Sequence, residues 1–180
     1  MVQLHTQRLL LRPWQSADAE LFAAMNADSA VMEHFPACLT RAESDAMIER
    51  ISNHMTTKGW GLWALEAPTL APFIGFCGLW TVSFDAPFTP AVEIGWRLAR
   101  PFWDNGYAFE AAQAALAFGL DTLGLPEIVS FTIPANVRSW RLMERLGMTH
   151  NPIDDFDHPR LPEGHPMRRH VLYRKQRANL

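Results

Sequence analysis

Three consecutive stretches restrict the fold more than any other part of the chain. "AVEIGWRLA" (91–99) is apolar and β-branched, as a buried strand must be. "GYAFEAAQAALAFGLDTL" (106–123) puts Ala111, Ala114, Ala115 and Phe118 on one side of a helix, and "EIVSFTI" (127–133) returns to strand character. Strand, helix and strand in succession form a crossover unit. Such a unit joins parallel strands of one sheet and packs its helix on a face of that sheet.

The flanking segments add antiparallel strands and more helices. "RLLLRPW" (8–14) reads as a strand ended by Pro13, and Ser16 and Asp18 open a helix through Leu21, Phe22 and Met25. Thr40 followed by Glu43 is a capping box, and the helix it opens carries Met47, Ile48, Ile51 and Met55 at helical spacing. "GWGLWALEA" (59–67) and "APFIGFCGLWTV" (71–82) read as a hairpin of buried strands joined through "APTLAP" (67–72). "SFDAPFTP" (83–90) is a loop. Asn136 to Leu146 is a short helix closed by Gly147, and "RRHVLYRK" (168–175) is a last strand after the loop "DDFDHPRLPEGHP" (154–166). The sum is an α/β chain, a mixed α+β sheet with helices on both faces.

Composition excludes several classes. The net charge of −3 leaves no broad basic surface, so no nucleic-acid partner is expected. No apolar run is long enough to cross a membrane and the N-terminus has no apolar leader, so no membrane partner is expected and the location is cytoplasmic. One domain over residues 1–180, 48% hydrophobic, is long enough for a core of its own. Cys38 and Cys77 both stand among apolar residues and read as packed thiols of a reducing compartment. The Asp- and His-rich loop 154–170 lacks the ligand spacing of a metal site, so no metal is expected.

The corner at Gly106 is the first candidate for a ligand. A helix N-terminus offers free N–H groups to a phosphate, and glycine lets the backbone approach it. No Gly-Lys-Ser/Thr follows and no G-x-G-x-x-G spacing is present, which removes nucleotide loops of those kinds. A plain turn before a helix is the other reading.

"WDNGYAFEA" (103–111) resembles the Q/R-x-x-G-x-G/A segment of the GNAT acetyltransferases, with Trp103 in place of Gln or Arg and Ala108 in place of the last Gly. It is most similar to the branch of the ribosomal-protein N-terminal (RimJ/RimL-like) acetyltransferases. "IPANVRSWRLMERLGM" (133–148) resembles that branch's N-x-x-S-x-x-x-x-E-x-L-G-F segment, and "VEIGWRL" fits the strand along the pantetheine arm. The resemblance runs from about Thr6 to about Arg174. It implies a GNAT fold whose central mixed sheet splits at an acetyl-CoA site, with acetyl-CoA as co-substrate.

On that resemblance, Trp103, Asp104, Asn105, Gly106, Tyr107 and Ala108 surround the pyrophosphate. Backbone groups of Trp96, Arg97, Leu98 and Ala99 pair with the pantetheine as an added strand. The oxyanion donor is a backbone N–H near Arg97, freed by a bulge with which Gly95 is compatible. Asn136 is a helix cap and a coenzyme contact. Ser139 is a coenzyme contact and the hydroxyl near the sulfur; its other reading is a first-turn serine bonded to backbone. Many family members carry a Tyr four residues further on, where this chain has Met143.

Acetyl transfer to an amine needs a base, because only the free amine attacks. Glu93 is the first candidate, with a structural carboxylate as its other reading, and Glu66 or a water-mediated route as competitors. The expected acceptor is a primary amine, either a protein N-terminus or a small molecule. A second copy of the chain is a further candidate partner. The alternative function is a non-catalytic acyl-CoA-binding or regulatory module. Acidic residues of the 154–170 loop are expected to draw a cationic amine or else to be solvated, and Phe84 and Phe88 to line the acceptor side or join the core.

Overall fold

The computed structural model describes residues 1–178. Asn179 and Leu180, the end of the expected domain, lie outside the described residues. The elements run β1 (Leu4–His5), β2 (Leu10–Arg12), α1 (Asp18–Ala27), α2 (Arg41–Lys58), β3 (Leu62–Ala67), β4 (Ala71–Thr81), β5 (Val92–Leu98), α3 (Tyr107–Ala117), β6 (Glu127–Thr132), α4 (Val137–Arg145), β7 (Thr149–His150), β8 (Phe156–Asp157) and β9 (Arg169–Gln176). The sheet order is β1-β2-β3-β4-β5-β6-β9-β7, with β8 on β9. Every pairing is antiparallel except β5 with β6, the two ends of the crossover. This is the mixed sheet that the sequence order requires.

Local chemistry sets the boundaries. The Thr40 side chain accepts from the Glu43 N–H while Glu43 reaches back to Thr40, and α2 ends on left-handed Gly59. α4 ends as expected at Gly147, with φ of 70°. The first strand is shorter than "RLLLRPW" suggests. Arg12, at its end, is buried against Asp18 at 2.8 Å and against Glu66 at 2.7 Å, and this ion cluster ties β2 to α1 and β3. The helix expected to reach residue 123 keeps α-helical hydrogen bonding only to Ala117 and continues as a π-helical turn through Thr122.

α3 packs Ala111, Ala112 and Ala115 against one face of β4 and β5, where Ile94 and Leu79 are fully buried. Ala114 is only half-buried, one position off the expected stripe. α1 and α2 cover the opposite face, where His54 of α2 stacks on Trp80 at 4.3 Å. Phe84 and Phe88 join a second core with Phe131, Phe156, Val129 and Leu172. Cys77 is buried as expected, but Cys38 is exposed: its apolar sequence neighbours lie in a loop and do not cover it.

Candidate active site

The parallel pair holds register only at Glu93↔Val129, with Ser130 Oγ donating to Ile94 O at 2.9 Å. Beyond that point β5 leaves β6, and the sheet opens. A cleft of about 1440 Å³ fills the opening and continues under α2 and the segment 30–36 that precedes it. The split therefore stands where the resemblance set it.

The ladder between β4 and β5 tells which groups face the opening. Its register is regular from Thr81↔Val92 to Gly75↔Leu98, so the expected bulge at Gly95 is absent. Ala99 donates to Ile74 O at 3.0 Å. By the alternation of an antiparallel ladder, Arg97, Gly95 and Glu93 direct their main-chain groups at β4, while Trp96 and Leu98 direct theirs at the split. The N–H groups freed toward the cleft are thus those of Trp96 and Leu98, released by the divergence of β6 and not by a bulge. The Leu98 carbonyl is already taken by the Trp103 indole N–H at 2.7 Å. Irregular glycines lie across the ladder on β4: Gly75 has φ of 143° and Gly78 of 156°, and a β-carbon on Gly75 would collide with the Arg97 carbonyl.

At the near end of the cleft stands the corner that opens α3. Gly106 is its N-cap with φ of 80°, and a β-carbon on it would meet only the Arg8 guanidinium, at 3.4 Å. Asp104 is also left-handed, with φ of 61°. The first helical bond runs from Glu110 N–H to Gly106 O, so the N–H groups before it have no helical partner. Glu110 fixes this corner. Its carboxylate accepts from the Thr6 hydroxyl and from the backbone and side chain of Arg8, and those bonds hold its pKa below the usual carboxylate range against the opposing effect of burial. Arg100 and Arg138 lie over the Trp103 ring, and Arg145 lies over Phe109. All three arginines line the cleft. This half offers free N–H groups and cations, the donor set that a pyrophosphate or a phosphate monoester requires.

Of the residues singled out from sequence, Glu93, Trp96, Arg97, Leu98, Trp103, Asp104, Gly106, Tyr107, Ala108, Asn136 and Ser139 line the cleft. Ala99 and Asn105 do not. The Asn136 side chain accepts from Ser139 N–H, the expected cap. The Ser139 hydroxyl makes no hydrogen bond among the described residues, so it is not engaged by backbone. Met143 is buried in the core, and Leu142 and Arg145 are the α4 residues that face the cleft beyond Ser139. The side chain at the position of the family's tyrosine therefore points away from the opening.

Glu93 lies on the cleft floor. It is partly open to the cavity yet enclosed by protein, and burial pushes its carboxyl up to about 8. It has no hydrogen bond or ion pair among the described residues. Glu66, its competitor, is held by Arg12 and does not reach the cleft.

The far half differs from expectation. The aspartates of the 154–170 loop turn outward: Asp154 pairs with Arg174, Asp155 with His150, and Asp157 with Arg168 and Arg169. The loop presents His158, Arg160, Met167 and His170 to the cleft instead. Phe84 and Phe88 stay in their core and do not line it. Sequence reading missed Arg50, Arg160 and the side chain of Arg97 here, because pattern and spacing do not tell which charges neutralise one another.

An acetyltransferase (GNAT) domain model matches residues 8–149. The chain belongs to the GNAT acetyltransferases. A relative by sequence is the uncharacterized protein YkkB of Bacillus subtilis, 32% identical over 149 residues, which are 81% of this chain and 84% of YkkB. Another is the FsC-acetyl coenzyme A-N(2)-transacetylase of Aspergillus fumigatus, 30% identical over 158 residues, 82% of this chain and 65% of that one. RimL, a ribosomal L7/L12 alpha-N-protein acetyltransferase solved in complex with coenzyme A, superposes with a TM-score of 0.75 over 97% of this chain and 98% of its own, at 14% identity. That likeness shows a shared GNAT fold. No helix among the described residues is long and apolar enough to cross a membrane.

Proposed function

We propose that the chain, as one domain over residues 1–180, transfers acetyl from acetyl-CoA to a primary amine by direct attack in a ternary complex. One observation carries this reading: an unpaired carboxyl, Glu93, raised toward neutrality, on the floor of the cleft where β5 and β6 part. The N–H groups from Asn105 to Ala108 with Arg100, Arg138 and Arg145 would hold the phosphates, and the Trp96 carbonyl and the Leu98 N–H the pantetheine amides. Acetyl-CoA supplies the activated acyl group. Glu93 takes the proton from the bound ammonium. The Trp96 N–H, beside Arg97, is the donor for charge that develops on the acyl oxygen. Ser139 donates to the leaving sulfur.

The acceptor is a protein N-terminus or a small amine, the latter in keeping with the N(2)-transacetylase relative. The site of action is the cytoplasm, where acetyl-CoA and reduced thiols are found together. A non-catalytic acyl-CoA module is the rival, and Met143 gives it no support, since that side chain lies in the core. Thiol release from acetyl-CoA, followed with a panel of small amines and peptides, tests the proposal. Tight coenzyme binding without thiol release from any acceptor would leave only the rival.

Ser139→Ala should slow turnover by about 5- to 150-fold, the loss of one transition-state hydrogen bond. Its unengaged hydroxyl predicts little change in melting temperature and little in coenzyme affinity. A variant that turns over like the parent with several acceptors would show that the thiolate leaves without Ser139.

A further inference from the structure

Glu93, Gly95 and Arg97 share one face of β5, because side chains alternate along a strand. Their cross-strand partners on β4 are Trp80, Gly78 and Phe76. The middle pair, Gly78 with Gly95, carries no side chain; a β-carbon on Gly78 would collide with the Gly61 carbonyl, whereas one on Gly95 meets nothing within 4 Å, so the open space lies over Gly95. A trough therefore runs along the cleft floor. Trp80 and Glu93 close one end and Phe76 and Arg97 the other, with roughly 13 Å between the Cα atoms of Glu93 and Arg97 at the usual strand rise.

Among the described residues, Arg97 is a cation without an anion. Its Nη1 donates to Asn26 Oδ1 at 2.7 Å, and the guanidinium lies 4.0 Å from the Phe35 ring centroid and 5.5 Å from that of Phe76. Nε is buried with no acceptor, and Nη2 has no hydrogen bond among the described residues. Burial lowers its pKa to about 10, which still leaves it charged at neutral pH. Asn26 is itself held by a hydrogen bond to Ser44 Oγ, so the guanidinium is fixed in place. The surroundings repeat the sign. Arg50 and Arg160 also line the cleft, Arg160 beside Ser83 toward the Glu93 end, and the loop aspartates are consumed by partners outside it. Glu33 and Glu93 are the carboxylates of the far half.

We propose that Arg97 is a specificity-determining residue that binds a carboxylate of the acceptor, so that the acceptor is a primary amine carrying an acidic group, its amine at Glu93 and its acid across the Gly95 trough. This rests on the acetyl-transfer reading above. The shared chemistry has two sources, a free amino acid or a peptide N-terminus followed by an acidic side chain. The span between the two ends sets how many bonds separate amine from acid.

The test measures kcat/KM by thiol release for ω-amino acids of increasing length against n-alkylamines of the same length. A second arm compares short peptides with an acidic or a neutral second residue. A charge-assisted bond predicts a preference for the acid-bearing member of about 10- to 150-fold in the parent. The arm that shows it identifies the source. In Arg97→Gln the ratio within each pair should fall to within about threefold of unity, and Arg97→Lys should retain part of it. Taking the ratio inside one variant cancels any general loss of activity. The parent comparison needs no variant, so it stands if Arg97→Gln does not fold. Equal rates for acid-bearing and neutral amines in the parent would overturn the inference and leave acetyl transfer intact. Absence of thiol release with every acceptor, from protein that binds acetyl-CoA, would remove the acetyl-transfer reading and this inference with it.

Discussion

Glu93→Gln is expected to lower kcat by about 10²–10⁴-fold and, at alkaline pH, to make the protein more stable. Both effects come from one cause. Burial raises the Glu93 carboxyl to about 8, from an ordinary value of 4.5. At pH below 4.5 the folded and unfolded chains both hold this proton, and the site has no effect on stability. Between those values the unfolded chain releases its proton while the folded chain keeps it, so stability falls as pH rises. Above about 8 the full cost is present. Glutamine stays neutral throughout and escapes it. The gain over the parent should be on the order of 1–3 kcal/mol above pH 8, after allowance for the opening of the site to the cleft. Catalysis runs the other way. The base works only when ionised, so the parent's rate should rise with pH up to about 8, and that limb should vanish in Glu93→Gln. Coenzyme affinity should be nearly unchanged, since no phosphate donor is lost. Paired pH–rate and thermal-denaturation profiles read both signs at once. A loss of less than about threefold in kcat would return Glu93 to a structural role, with a water-mediated route to the proton.

What the sequence disclosed, and what it withheld, divides along a physical line. Features decided by neighbours in the chain were legible. The Thr40–Glu43 box, the Gly147 stop and the crossover around Gly106 each depend on a few adjacent residues, and each stands where the pattern put it. Features decided by which charge meets which partner were not. Asp154 is neutralised by Arg174 in a strand 20 positions away, and Glu66 by Arg12. The sequence therefore suggested an acidic acceptor loop and a second candidate base that the fold removes. Arg97 entered the sequence reading only for its backbone. Its side chain matters because Asn26 and Phe35, far away in sequence, hold it in the cleft. The missing bulge has the same origin: freeing an N–H on β5 requires only that β6 diverge, which no local signal in β5 reports.

Gly106→Asp should weaken acetyl-CoA binding by about 10²–10³-fold, while Gly106→Ala changes it far less. The comparison matters because both variants pay a similar backbone strain. Gly106 sits at φ of 80°, where any side chain costs about 1–2 kcal/mol, and Asp tolerates this region better than Ala. Space is not the issue: a β-carbon there meets only the Arg8 guanidinium, at 3.4 Å. The two proteins should therefore melt within a few degrees of each other. Their difference lies in the carboxylate. It would stand over the N–H groups that open α3, occupy them as an intramolecular anion, and draw on Arg8 as well. A pyrophosphate would have to displace it, and the loss of two charge-assisted bonds of about 1.5–2 kcal/mol each, the low end of their range, accounts for the expected factor. Calorimetric titration with desulfo-CoA measures affinity free of turnover. If Gly106→Asp and Gly106→Ala bound it equally well, the phosphates would have to lie elsewhere, and the corner would be only the turn that starts a helix.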